Sequence, residues 1–253
     1  MAHMYFDESI RDNGSFIVGA LVVSQEDLSI RVTKEWRGMG LDANTKEFKS
    51  STLKAGNPTS QLQRDVLRGI LQASRLGLVV CPSFDRGCLG EHAIGLVSQL
   101  LDTGVLENGS HELHLDEGIT LPNTSKQAIR GRGVSVNTGQ DSRIVTGIQV
   151  ADHAAYTLGV MLLEEAGIIS KSILAGANSG YEPDLEIELG FELWADLRYT
   201  FFGEDKLPGD SSESFDPHRI VEGFGLYVAP SCDNDLADLA RRRFGSIYLG
   251  CIH

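Results

Sequence analysis

Met4-Tyr5-Phe6-Asp7-Glu8-Ser9 decides how the rest of the chain is read. Apolar residues run straight into two acids. Beyond Gly14 comes the run Phe16-Ile17-Val18-Gly19-Ala20-Leu21-Val22-Val23. The polar stretch Arg11-Asp12-Asn13-Gly14 between them is a turn signal, so the two runs predict neighbouring strands of a hairpin. Asp7 is thereby placed at or near a sheet. A carboxylate that stays charged, buried and alone there costs several kcal/mol, on the order of a domain's whole net stability. A divalent cation held by several acids is the usual compensation. The question for the remaining residues is whether other acids arrive at the same place.

Working outward, Met1-Ala2-His3 reads as a cloning remnant ahead of a native start at Met4 and is left out of the expected fold. Residues 28–33 alternate apolar and polar and predict a third strand, making an antiparallel meander. A loop around Gly38-Met39-Gly40 leads to Thr45-Lys46-Glu47-Phe48-Lys49-Ser50-Ser51. Residues 61–73 predict a helix capped by Ser60, with Leu62, Val66, Ile70 and Leu71 inward. The apolar run 76–81 predicts a buried central strand. Residues 89–101 predict a helix, 111–118 a strand ending in acids, 124–132 a short helix and 134–136 a short strand. Over 143–165 the residues Ile148, Ala151, Ala155, Leu158 and Leu162 form a helical stripe. Small residues line it densely, which predicts close packing on the strand that carries Asp7.

Composition shifts after Gly167. Residues 188–202 alternate strictly, with Leu189, Phe191, Leu193, Ala195, Leu197, Tyr199 and Phe201 on one side, and predict a long strand. A polar loop, a strand over 224–229, a helix over 235–244 capped by Asn234 or Asp233 and a strand over 247–252 complete the chain. The expected organisation is a core domain over 4–167 with a smaller α+β extension over 168–253 packed on it.

The 253 residues are 42% hydrophobic, enough for an ordinary buried core. No apolar run reaches the roughly 18 residues needed to span a bilayer, so no membrane partner is expected. Net charge is 22 − 35 = −13, which argues against a broad, non-specific grip on a phosphate backbone. It does not exclude a nuclease whose acids are neutralised by metals. Cys81, Cys88, Cys232 and Cys251 show no CxxC pair and no zinc-type spacing. They read as free thiols in a reducing cytoplasm.

Carboxylates fall at the ends of elements. Asp7 closes the first strand, Glu47 follows the expected third strand, Asp116 closes a later strand, and Asp152 sits on the Ala-rich helical stripe. At Asp116 the neighbours Glu112 and Glu117 compete for the inward position. Asp152 is the hardest to explain structurally, because an unpaired acid on that face opposes packing. Hydrolysing a phosphodiester in line needs a clamp on the attacking and leaving oxygens, which two Mg²⁺ or Mn²⁺ ions about 4 Å apart supply. Such hard ions take Asp and Glu oxygens. In an extended segment Lys49 shares a face with Glu47 and could pair with a carboxylate or reach a phosphate. Ser9 and Ser142 could orient water or a ligand.

Three strands, then alternating helices and strands with acids at these positions, is the arrangement of the ribonuclease H-like fold: a mixed α/β sheet flanked by helices. Tyr-Phe-Asp-Glu-Ser with its following apolar strand, Glu-Phe-Lys-Ser-Ser, Leu-Asp-Glu, and Asp-Ser followed by Ile-Gln-Val-Ala-Asp-His resemble the family catalogued as domain of unknown function 3800. That family is similar to ribonuclease H and integrase-type nucleases, and the resemblance covers about residues 4 to 165. It implies a metal-dependent nuclease or phosphodiesterase with Asp7, Glu47, Asp116 and Asp152 as metal ligands and Lys49 beside them. DNA and RNA both stay open as substrate. Two other readings stand beside it. One is a non-catalytic module that holds a single ion and meets a protein partner or a second copy through the C-terminal extension. The other is a nuclease that works only inside a larger complex.

The remaining candidates have plainer readings. His114 and His153 fit structural or surface roles better than acid–base roles. Arg241-Arg242-Arg243 reads as a solvated helix end. Trp194, Tyr199 and Phe201 read as packing rather than as a base-stacking surface.

Overall fold

The computed structural model describes residues 1–42, 48–52, 57–175, 182–206 and 217–250. Its centre is a six-stranded mixed sheet in the order β10-β3-β2-β1-β4-β5. In chain order the strands are β1 (Ala2–Arg11), β2 (Phe16–Ser24), β3 (Arg75–Pro82), β4 (His111–Asp116), β5 (Val134–Gln140), β6 (Ser172–Leu174), β7 (Glu186–Glu188), β8 (Glu204–Lys206), β9 (His218–Ile220), β10 (Leu226–Val228) and β11 (Ser246–Tyr248). The helices are α1 (Leu28–Gly38), α2 (Pro58–Gln72), α3 (Leu89–Asp102), α4 (Asn123–Arg130), α5 (Ile148–Glu165), α6 (Leu189–Leu197) and α7 (Asn234–Phe244).

β1, β2 and β3 are antiparallel neighbours, while β4 and β5 run parallel to β1 on its other side. This is the mixed α/β sheet flanked by helices that the sequence leads one to expect. β2 reads as an unbroken apolar run because helices cover both of its faces. Phe16, Val18, Ala20 and Val22 join the core under α1, α2 and α5. Ile17, Leu21 and Val23 join the core under α3. β1 opens at Ala2, which is fully buried, so Ala2 and His3 belong to the sheet while Met1 stays outside it. The C-terminal part also enters the sheet, since β10 pairs with β3 in parallel.

The expected third strand over 28–33 is instead helix α1. Leu28, Val32 and Trp36 are its buried residues, spaced by four, while Ile30 is 70% exposed. Asp27 caps it by accepting a hydrogen bond from the Ser29 N–H. Leu28 and Val32 satisfy both a period of two and a period near 3.6, and the cap decides between them. The meander is therefore completed by β3, after two helices.

The expected long strand over 188–202 is also a helix, α6. Leu189, Leu193 and Leu197 fit a spacing of four as well as alternation, and Leu193 and Leu197 pack on the core below α2 and α5. Helix α2 is capped by Asn57, with Pro58 in its first turn, rather than by Ser60. Leu62 is exposed, and Leu67, Ile70 and Leu71 face inward.

Helix α5 lies across β1 and β2, as its small residues predict. A Cβ at Gly147 would strike the Tyr5 ring, and one at Gly159 would strike the Arg11 guanidinium. Glycine at these two positions lets the helix approach β1 closely enough for its side chains to reach the strand's end.

Candidate active site

Strand alternation sorts the side chains. Met4 and Phe6 of β1 and Leu113 and Leu115 of β4 fill the core under α3. His3, Tyr5, Asp7 and Glu112, His114, Asp116 therefore share the opposite face, towards α5. The two strands run parallel with Phe6 beside Leu115. Asp7 and Asp116 thus leave the ladder side by side at its C-terminal edge. The β4–β5 pairing slips between His114 and Asp116, with one extra residue in β5. Gly139, at φ +66°, takes up that bulge. Bulges re-aim neighbouring side chains, and this one sits where β4 delivers Asp116.

Asp152 comes from the second turn of α5 and completes the group. The Asp7 carboxyl is pushed well above the usual carboxylate range. Burial is the largest cause, followed by the charges of Asp116, Asp152 and Glu8, and the Glu8 N–H donating to Asp7 Oδ1 at 2.7 Å offsets part of it. Acids from three elements, Asp7, Asp116 and Asp152, therefore meet in one field. Asp152 Oδ2 accepts from the Ser50 N–H at 2.7 Å. Arg11 donates to the Tyr156 carbonyl at 2.6 Å, lies 4.7 Å from the Tyr156 ring centroid and feels the Asp152 charge.

Glu47 lies outside the described residues, so its expected place among the acids falls there too. The segment just after it is tied to the site. Phe48 is buried against Trp36, with ring centroids 4.7 Å apart, and Ser50 holds Asp152. Lys49 between them is exposed. Ser142 is buried and its carbonyl accepts from Gln149 Nε2, so it serves packing at the entry to α5.

At the other end of the same face His3 Nδ1 lies 3.6 Å and His114 Nε2 3.9 Å from Glu112 Oε2. Among the described residues this is the set of three whose potential ligand atoms all lie within 4.8 Å of one another. The three aspartates are spread more widely. Burial lowers the His114 pKa, and its ring stacks on Tyr5 at 5.3 Å. Sequence reading passed over this trio because His3 was set aside. The available signal was Glu112-x-His114, two polar residues on one strand face.

His153, next to Asp152, touches Ser50 Oγ through Nδ1 at 3.3 Å. Burial first, then the Arg68 and Arg64 charges, lower its pKa to about 4. It is a neutral imidazole at physiological pH, in keeping with a structural role. Arg241 pairs with Glu222 and Asp238, Arg242 with Glu165, and Arg243 donates to the Gly190 carbonyl. Phe201 is fully buried, Trp194 packs on the core edge, and Tyr199 is 56% exposed. Among the described residues no helix is long and apolar enough to cross a membrane.

No protein-family model matches the chain, and no curated protein matches it. Among solved structures it is similar to a chain of the PCNA:RNase HII complex from Archaeoglobus fulgidus. The identity is 13% and the TM-score 0.37, over 77% of this chain and 86% of that chain. What bears on chemistry is the meeting of Asp7, Asp116 and Asp152 at the edge of a mixed α/β sheet.

Proposed function

We propose that the chain is a metal-dependent nuclease or phosphodiesterase of the domain of unknown function 3800 family, acting on nucleic acid in the cytoplasm. The observation that carries this reading is the meeting of Asp7, Asp116 and Asp152, from three elements, at the C-terminal edge of the β1–β4 ladder, where burial and the two neighbouring charges raise the Asp7 pKa. That arrangement opposes stability, and like charges are retained in such a place when a ligand supplies the opposing charge. The donors are carboxylate oxygens, which fit Mg²⁺ or Mn²⁺ and not softer ions. Asp7, Asp116 and Asp152, joined by Glu47, would hold them. When bound, such ions neutralise phosphate charge and activate water for in-line attack.

The chain's own residues do the rest. The Ser50 N–H fixes Asp152 Oδ2. Arg11 is held by Tyr156 within the field of Asp152. Lys49 is exposed next to this segment and would meet a phosphate oxygen of the substrate. The test is cleavage of labelled DNA and RNA with Mn²⁺. Asp7→Ala is expected to lose at least about a hundredfold in rate, the scale of removing one charge-stabilising group. Equal rates for variant and wild type on every substrate would sink the reading.

A second reading is favoured by the His3–Glu112–His114 trio and the net charge of −13. It is a non-catalytic module that holds one ion and meets a protein partner or a second copy through residues 168–253. Calorimetric titration separates the two. Two coupled Mn²⁺ sites lost in Asp7→Ala support the nuclease, and one site lost in Glu112→Gln supports the module.

A further inference from the structure

We propose that the cavity between α2, α5 and α6 receives one unpaired nucleobase of the strand being cut, so that the site acts on single-stranded or locally opened nucleic acid. This rests on the nuclease reading and specifies its substrate. The cavity has a volume of about 380 Å³, inside the range of roughly 300–1,000 Å³ typical of small-ligand sites. It reaches the acids through the neighbours of Asp152. Ser50, whose N–H holds Asp152, lines it, and so does His153 on the next residue of α5.

Its chemistry selects the occupant. Arg64, Arg68 and Lys171 line it together with Asp65, Glu192 and Asp196, three cations against three acids. Arg68 is already committed to Asp65 at 3.0 Å and Asp196 at 3.2 Å. A phosphate would find no net positive charge there. The rest of the wall mixes apolar residues, Leu71, Leu193 and Val160 among them, with uncharged hydrogen-bonding groups such as Gln61, Tyr156 and Thr157. A neutral, flat group with hydrogen-bonding edges suits such a space, and a splayed base is that group. The overall charge points the same way. At −13 the chain gains little from broad counterion release, which favours burial of a base as a source of its hold on a strand.

The experiment uses the full chain with Mn²⁺ and nuclease-resistant phosphorothioate oligonucleotides carrying one 2-aminopurine, as DNA and as RNA. Each is offered as a single strand and as a blunt duplex. The single strand is expected to bind about tenfold more tightly, with a change in 2-aminopurine emission. Tenfold is about 1.4 kcal/mol, within the range of one stacked base. Leu193→Trp, which fills the cavity, is expected to remove that preference while leaving the Mn²⁺ titration unchanged. Gln61→Trp, on the exposed rim, is the second variant and serves alone if the first does not fold. Equal binding of the two forms overturns the inference, as does wild-type binding by a folded filled variant. If Mn²⁺ binds and cleavage proceeds in those cases, the nuclease reading survives and only the base site is lost. If Mn²⁺ itself does not bind, both fall.

Discussion

The two ends of one strand pair differ in what they ask of the solvent. His3 and Asp7 stand on the same face of β1, four residues or about 13 Å apart at the usual strand rise. Glu112 and Asp116 stand likewise on β4. At the first end two imidazoles flank one carboxylate at 3.6 and 3.9 Å, so groups that can attract one another sit together, although His114 Nδ1 is buried without a hydrogen-bond partner. At the second end Asp7, Asp116 and Asp152 bring charge of one sign into a desolvated corner. The backbone treats both ends alike. The residue types make one end a mixture of opposite partners and the other a gathering of like charge.

The largest effect that would break this comparison is on stability without metal. Asp7 has a raised pKa in the folded state, so folding takes up protons in the window above the unfolded value of about 3.9. Its contribution is present below that value and is lost as pH rises through the folded pKa. Asp7→Asn removes this loss. In chelator at neutral pH the variant is expected to be more stable by about 0.5–2 kcal/mol, a rise of a few degrees in melting temperature. Mn²⁺ should reverse the order. It would stabilise wild type by about 2.7 kcal/mol at a hundred times its Kd, and the variant less. A variant that melts below wild type in chelator would show that the corner is not strained by like charge.

The sequence showed this corner better than it showed the fold around it. Asp7 and Asp116 were legible because each follows apolar residues that point the other way, although only Asp116 ends its strand and β1 runs on past Asp7 to Arg11. Asp152 was legible because an acid on an Ala-rich face has no packing reason to be there. The sheet itself was legible from β1, β2, β3, β4 and β5. The errors at α1 and α6 share a cause. Pairs spaced by four, such as Leu28 and Val32 or Leu189 and Leu193, fit two periods at once, and only capping by Asp27 and packing below α2 settle them. The β5 bulge at Gly139 was invisible because it is a relation between two strands, not a property of one. So was the hold of Ser50 on Asp152, two residues that are far apart in the chain.

A smaller effect concerns His153, which sits beside the acids yet stays neutral. Its folded pKa of about 4 lies below the ordinary imidazole value. Unfolding therefore takes up a proton, and the stability it supports is full above the unfolded pKa of about 6.5 and is lost as pH falls towards 4. Its ring resonances in an NMR titration should stay constant from pH 8 to about 5. A midpoint near 6.5 would mean that the imidazole is solvated, and that the wall shared by Ser50 and His153 is open to water.

The smallest effect tests the balanced end. Glu112 is 41% exposed at its side chain, and each imidazole beside it 15%. Exposed pairs of this kind contribute about 0–1 kcal/mol, and burial keeps His114 largely uncharged, which weakens the attraction further. Glu112→Gln keeps the shape and an acceptor oxygen. Its melting temperature is expected within about 4 °C of wild type in chelator. A larger fall would mean that the trio carries charge the fold depends on. The same variant with Zn²⁺ completes the contrast. If Zn²⁺ raises the melting temperature of wild type but not of Glu112→Gln, the histidine end is also completed by a ligand. The two ends would then differ in the softness of the ion they select, imidazole nitrogen against carboxylate oxygen, and no longer in whether they need one.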